Sequence, residues 1–413
     1  MVLLKVVDMR ECAEMTESQR KEALERADEH IFSMGLGDVA ADMSLLNMRY
    51  GLAKMHYVLG ELGHAPDATF IATPDLTVTR NDQRWNAGIG YGGKVTWGPG
   101  DREVVFVDIK PNCCGMLVGG LNEPQSLAQT GARLDAMLDD HARLDGIALD
   151  WDIGTGNHFV DMMRAETLDP NTELPAWCFV MHFSGDELRG DNELGMGLYW
   201  HDSAEIQRRM TVFETPWGLC RTLLGDDARE YWEFFQRADD FITRRRLMAA
   251  ERLFDDFDLI ANLHHQGLVN PNSAVLGCQD TSRGGLMPVM LRESTPGYLF
   301  HALPNLTDAT IDVLGWRERA ESHGVLDQLH GANVIPHGAG YMLPGLSRVV
   351  EVHEFNGRRY YEVEASEHEV RIMIGTPRDL TYAYRGRRVI LASAEYSLGE
   401  IAARLMPVYV LKA

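Results

Sequence analysis

The strongest constraint on the fold is a recurring pattern of short apolar runs, each ending on a polar residue able to bind a ligand. Val104-Val-Phe-Val107 leads into Asp108, and Trp177-Cys-Phe-Val-Met181 leads into His182. Runs of this length suit buried strands, whose ends project side chains out of the core. The pattern therefore predicts sheets with chemistry gathered at their strand ends. A third run, Gly146-Ile-Ala-Leu149, feeds the loop Asp152-Ile-Gly-Thr-Gly-Asn-His-Phe-Val-Asp161. There Gly154 and Gly156 permit positive φ and deliver Asn157, His158 and the carboxylate of Asp161. Far downstream, Pro336-His-Gly-Ala-Gly340 follows the apolar Val334-Ile335. Its small neighbours leave His337 open to a ligand as large as a nucleotide.

Helical segments are expected between and before these runs. Thr16-Glu-Ser-Gln19 fits a capping box opening a helix that continues to about Met34, and a second helix is expected from Asp42 to Leu62. Further helices are expected over 123–145, over Ala228 to Phe257 and over Ser397 to Leu405, with hairpin strands from Val349 to Glu354 and Tyr360 to Glu364. The segment 184–226 has little periodicity and is predicted to be a loop excursion. A 413-residue chain that is 45% apolar can bury a large core. With no internal repeat or low-complexity linker, the expectation is a single α+β domain.

No basic-then-apolar leader and no run of eighteen apolar residues occurs, so a cytoplasmic, non-membrane protein is expected. Six cysteines (Cys12, Cys113, Cys114, Cys178, Cys220 and Cys278) are too sparse for a disulfide framework, and the Cys113-Cys114 pair favours thiolate chemistry. A net charge of −22 opposes nonspecific attraction to nucleic acid. Arg244-Arg-Arg246, Arg358-Arg359 and Arg385-Gly-Arg-Arg388 are the candidate basic patches. Asp108, one of Cys113 and Cys114, His158, His182 and one of His264 and His265 form an oxygen, sulfur and imidazole set. Such a set suits Mn²⁺, Zn²⁺ or Fe²⁺ better than Mg²⁺ or Ca²⁺.

Together with Asp108-Ile-Lys-Pro-Asn-Cys-Cys-Gly115, Met181-His-Phe-Ser-Gly185, Asn262-Leu-His-His265 and Pro407-Val-Tyr-Val-Leu-Lys412, these loops resemble, in the same order, the RtcB family of RNA ligases. The resemblance spans roughly residue 70 to the C-terminus. It implies an RtcB-like catalytic domain over 66–413, with mixed β-sheets flanked by helices and a cleft built from strand ends and loops. A helical pair, 1–65, would pack on that body. It further implies one or two Mn²⁺ ions held by Asp108, Cys113 or Cys114, His158, His182 and His264, and GTP as the nucleotide. His337 would be the guanylylated nucleophile. Asn157, Phe159, Asp161, Ser294, Gly338, Ala339, Gly340, Tyr384 and Lys412 would contact the guanylate, and RNA 3′-phosphate and 5′-hydroxyl ends would be the substrates.

Several positions depart from that family's pattern. Asp161 stands for a Glu, Tyr341 for an Arg, and Gly277-Cys-Gln-Asp-Thr281 for a stretch carrying two cations. Arg292-Glu-Ser-Thr-Pro-Gly297 replaces a compact Gly-containing loop. The resemblance is therefore to a divergent paralogue. Its alternatives are a metal-dependent nucleotidyltransferase or phosphohydrolase acting on another substrate, and a metal-binding protein without catalysis.

Overall fold

The computed structural model describes residues 5–6, 15–154, 156–355, 357–368 and 370–412, so Cys12 lies outside the described residues. The chain is a mixed α+β fold built on one large sheet with flanking helices. In chain order its strands are β1 (Ile31–Ser33), β2 (Thr69–Thr77), β3 (Tyr91–Thr96), β4 (Cys114–Leu121), β5 (Phe159–Thr167), β6 (Trp177–Phe183), β7 (Asp258–Asn270), β8 (Ser273–Leu276), β9 (Leu286–Val289), β10 (Gly297–Ala302) and β11 (Gly399–Leu411). Their spatial order is β9-β10-β11-β5-β6-β4-β7-β8-β3-β2-β1. Every pairing is antiparallel except the edge pair of β1 with β2.

Side-chain alternation on the central strands sorts the core into two faces. Phe179, Met181 and Phe183 of β6 pack with Leu117 and Leu121 of β4 against Ala249, Ala250 and Leu253 of the helix Asp226–Leu253. Phe179 stacks on Phe254, with centroids 3.8 Å apart. Cys178 and Val180 point the other way, into a cluster with Met116, Val118 and Met163. His182 continues that second row of β6, as Cys114 continues that of β4.

The capping box of Thr16 and Gln19 forms as expected, but its helix stops at Glu29. Ile31 and Phe32 are diverted into the parallel pair with Phe70 and Ile71. The second helix runs Val39–Glu61 from an Asp38 cap and is buried along most of its length. The helix expected over 123–145 is shorter, Leu127–Leu138, and the Gly146-to-Leu149 run forms only a two-residue hairpin strand, Ile147–Ala148, against Arg143–Leu144. The 184–226 segment contains a helix, Ala204–Arg209, and two strands, Thr211–Thr215 and Gly218–Leu224. Those strands join Val104–Phe106 in a separate four-stranded sheet. Ser397 to Leu405 is not helical. A helix occupies Arg388–Glu395, and Ala402, Ala403 and Leu405 are buried in β11, between β10 and β5. Sandwiching between two strands outweighs the weak helical period there.

Of the candidate basic patches, Arg245 and Arg246 are wholly buried. Arg245 pairs with Asp152, and Arg246 binds the side chain of Asn262 and the carbonyl of Cys113. Arg385 forms a two-pronged ion pair with Asp38 at 2.5 and 2.7 Å. These cations are structural. No helix among the described residues is long and apolar enough to cross a membrane.

Candidate active site

Four loops and strand ends converge on one cavity of about 260 Å³, lined among others by Cys114, Asn157, His158, Phe159, Asp161, His182, His337, Gly338, Ala339, Gly340, Tyr384 and Lys412. Cys114 starts β4 and His182 lies near the end of the neighbouring β6, where it opposes Met116. The Gly154-to-Gly156 turn then swings His158 over them. The Cys114 sulfur lies 3.2 Å from Nε2 of His182 and 3.5 Å from Nε2 of His158. These three groups can hold a metal ion.

Hydrogen bonds on the far side of each ring support that fit. Nδ1 of His182 donates to the carbonyl of Asn157 at 3.1 Å, and Nδ1 of His158 to the carbonyl of Asp152 at 3.0 Å. With Nδ1 of each ring tied on its far side, both Nε2 atoms face the sulfur, the arrangement in which outer partners orient metal-binding imidazoles. Burial, reinforced by neighbouring His158 and His337, holds His182 well below the ordinary imidazole range. His158 goes the opposite way, up to about 11: burial opposes the rise, but Cys114 and Asp152 overcome it. Asp152 itself is kept well below the usual carboxylate range against its burial, by the His158 hydrogen bond and the Arg245 charge.

His265, rather than His264, adds a further donor. Its Nε2 lies 3.2 Å from Nε2 of His182. Ala261 packs on the Met116 face, and His265 shares its alternation, whereas Asn262 and His264 face the helix Asp226–Leu253. A β-bulge between His264 and Gln266, opposite Gly115 and Cys114, completes the placement. His264 instead binds Asp239 of that helix at 2.7 Å. That contact, with Arg246 and Arg283, holds Asp239 down at about 2 against its burial.

Two other expected ligands lie elsewhere. Asp108 sits on the 3₁₀ turn Val107–Ile109 and accepts from the Arg221 guanidinium at 3.0 Å and its backbone N–H at 2.9 Å. Its strand belongs to the four-stranded sheet, not to the sheet that carries the histidines. Cys113 is buried with φ +53 and gives its carbonyl to Arg246, and burial pushes its thiol well above the ordinary range. Cys114 alone brings sulfur to the cluster.

His337 lies across the cavity, its ring centroid 4.4 Å from that of His265. Its Nδ1 faces two acceptors, the Asp75 carboxylate at 3.0 Å and the Gly277 carbonyl at 2.6 Å. Nδ1 therefore carries a proton, and in the neutral ring the lone pair lies on Nε2. Asp75, fully buried, lies within β2, where Pro74-Asp75 interrupts the runs Phe70-Ile-Ala-Thr73 and Leu76-Thr-Val-Thr79, so no local pattern marks its role. It also accepts from the backbone N–H groups of His337 and Gly338 and from Thr73. Gly340 is required beside it: with φ +64, an added Cβ would meet the Asp75 carbonyl at 2.2 Å. Gln279 and Asp280, which stand where cations were expected, serve as braces. Gln279 donates to the carbonyls of Pro288 and Pro336, fixing the strand before His337, and Asp280 pairs with Lys94 at 3.0 Å.

At the cavity's far end Phe159 meets His182 edge-on at 5.4 Å, and Tyr384 contacts Tyr341 at 5.4 Å. Lys412 pairs with Glu293 at 2.7 Å. Ser294 is exposed and does not line the cavity, unlike its neighbours Arg292 and Glu293. Asp161 is buried with Oδ1 unpartnered, and burial lifts it to about 8 despite the nearby Lys412. A carboxyl raised this way favours folding only while protonated. Between about pH 4 and 8 wild type should therefore lose stability relative to Asp161→Asn, at about 1.4 kcal/mol per pH unit. Urea unfolding of both at pH 5, 6.5 and 8 checks this, and parallel curves would mean that Asp161 is ionised in the fold. No family model and no curated protein matches this chain.

Proposed function

We propose that this chain is a metal-dependent nucleotidyltransferase of RNA-ligase type, in which His337 takes a guanylate from GTP and passes it to an RNA 3′-phosphate. The observation that carries the reading is the state of His337. A neutral imidazole whose Nδ1 proton is held by Asp75 and Gly277 has its lone pair on Nε2, in a cavity that is also lined by Cys114, His158 and His182. That is the arrangement of an activated nitrogen nucleophile. The resemblance to the RtcB family supports the choice of GTP, of Mn²⁺ and of RNA ends.

A metal held by Cys114, His158 and His182, with His265 adjacent, would supply Lewis-acid neutralisation of phosphoryl charge. The chain's own residues do the rest. Nε2 of His337 attacks the α-phosphorus in line, the P–N bond forms, and the bond to the bridging oxygen breaks as pyrophosphate leaves. Asp75 holds the imidazolium that results. Phe159 and Tyr384 offer faces to the base, and Asp161 and Lys412 offer polar groups to its edge. Transfer to a terminal 3′-phosphate breaks the P–N bond and activates that end for attack by a 5′-hydroxyl.

Incubation with α-labelled GTP and Mn²⁺ should leave acid-labile label on wild type. His337→Ala should abolish it, at least a hundredfold, with metal content unchanged. Label on the His337→Ala chain would overturn the assignment. A wild type that never labels, but hydrolyses phosphate esters, would favour the phosphohydrolase reading.

A further inference from the structure

The cavity lining contains a buried cation that no site residue named so far accounts for. Arg84 is 6% exposed and lines the cavity. It stands on the short helix Asp82–Ala87, which is closely anchored. Gly88, just past the helix, packs so tightly on Gly51 that a Cβ on Gly51 would meet its carbonyl oxygen at 2.2 Å, and Trp85 donates to the carbonyl of Gly375 at 3.0 Å. The guanidinium is fixed in turn: Nε donates to the carbonyl of Ile109 at 3.0 Å and Nη2 to that of Lys110. On the cavity side its neighbour is the side-chain amide of Gln266, whose oxygen faces the guanidinium in the hydrogen-bonded orientation.

All of these partners are neutral. Among the described residues no carboxylate forms an ion pair with Arg84, whereas buried Arg245, Arg385 and Lys94 each have one. Buried Arg246 and Lys54 also bind neutral groups, but neither lines the cavity, and Arg84 does. A buried charge is ordinarily paired, because desolvation without a counter-charge is costly. The local field makes the imbalance larger. Lys110, 2% exposed, also lacks a carboxylate partner: it binds Gln83 and lies 4.4 Å over the Tyr199 ring. Burial, and then the Arg84 charge, push its ammonium down to about 7.

We propose that Arg84 is the fixed cation of an anion subsite, and that it takes the oxygens of a substrate phosphoryl group lying between it and the Cys114, His158 and His182 cluster. With Nε and Nη2 held on backbone carbonyls, the guanidinium turns its Nη1 side, now on the neutral Gln266 amide, to a phosphate oxygen. The subsite supplies positive charge that Gln279, Asp280 and Tyr341 do not. This inference rests on reading the cavity as a phosphoryl-transfer site, but its test is independent of labelling.

The test is calorimetric titration of the full metal-bearing chain with two probes, inorganic pyrophosphate and adenosine 3′-phosphate, with metal content measured for every variant. Wild type should bind at least one of them, and Arg84→Gln should weaken that binding at least tenfold at equal metal content. Loss for pyrophosphate places the triphosphate tail on Arg84, and loss for the 3′-phosphate places the acceptor end there. Arg84→Lys keeps the charge without the fork and should fall between. If the Gln variant does not fold, the Lys variant decides, with a threefold loss as the threshold. Wild type binding neither probe, or a variant binding as wild type does, would overturn the subsite. Arg84-dependent binding by a chain that never labels with GTP would retain the subsite and discard the nucleotidyl reading.

Discussion

His182→Ala is expected to lower the affinity of the Cys114, His158 and His182 cluster for a metal ion tenfold or more, while His264→Ala leaves it unchanged. The two residues occupy adjacent positions on strands beside β4, yet they serve different faces. His182 aims Nε2 at the Cys114 sulfur, 3.2 Å away, with Nδ1 tied to the Asn157 carbonyl. Its removal takes away a donor at the middle of the cluster, between Cys114 and His265. His264 has turned toward Asp239 and the helix behind the sheet. Its loss should lower the melting temperature by stranding the Asp239 carboxylate, without touching the metal. Elemental analysis of both variants after gel filtration provides the measurement. Full metal in His182→Ala would dismantle the cluster, and loss in both variants equally would show that the two faces are not separate.

If His337 takes a guanylate as proposed, Asp75→Ala is expected to cut that labelling by about 10²- to 10³-fold with metal content intact, because a nucleophilic imidazole needs its tautomer and orientation held. The carboxylate receives the Nδ1 proton and both backbone N–H groups of the His337-Gly338 turn. Removing it leaves the two backbone donors unsatisfied and the ring held at Nδ1 by the Gly277 carbonyl alone. Asp75→Asn should recover much of the loss. Its amide oxygen can replace Oδ2 while its NH₂ group faces Thr73, whose hydroxyl now lies 2.6 Å from Oδ1. Recovery in the Asn variant separates positioning from charge. Labelling of the Ala variant at the wild-type rate would remove Asp75 from the chemistry.

The sequence by itself determined a good deal of the site's raw material. Apolar runs ending on His182, the glycine-flanked loop around His158 and the small-residue loop around His337 are local features, and each lines the same cavity. The long helix expected over Ala228 to Phe257 occurs as Asp226–Leu253, since its apolar period is strong and its packing face continuous. What the tertiary structure decided were matters of pairing and phase. His264 and His265 are equally good ligands in sequence. A bulge and the alternation of β7 choose between them, and both depend on β4 lying alongside. Asp108 follows the apolar run Val104 to Val107, while Asp75 sits inside β2 after Pro74 with no such signal. Only the division of strands between two sheets sends one to Arg221 and the other to His337. Arg245 and Arg385, members of runs that suggested basic patches, are held in buried ion pairs, while Arg84, isolated in sequence, lines the cavity with no carboxylate partner among the described residues. Charge compensation is a property of neighbours in space, and short-range pattern has no access to it.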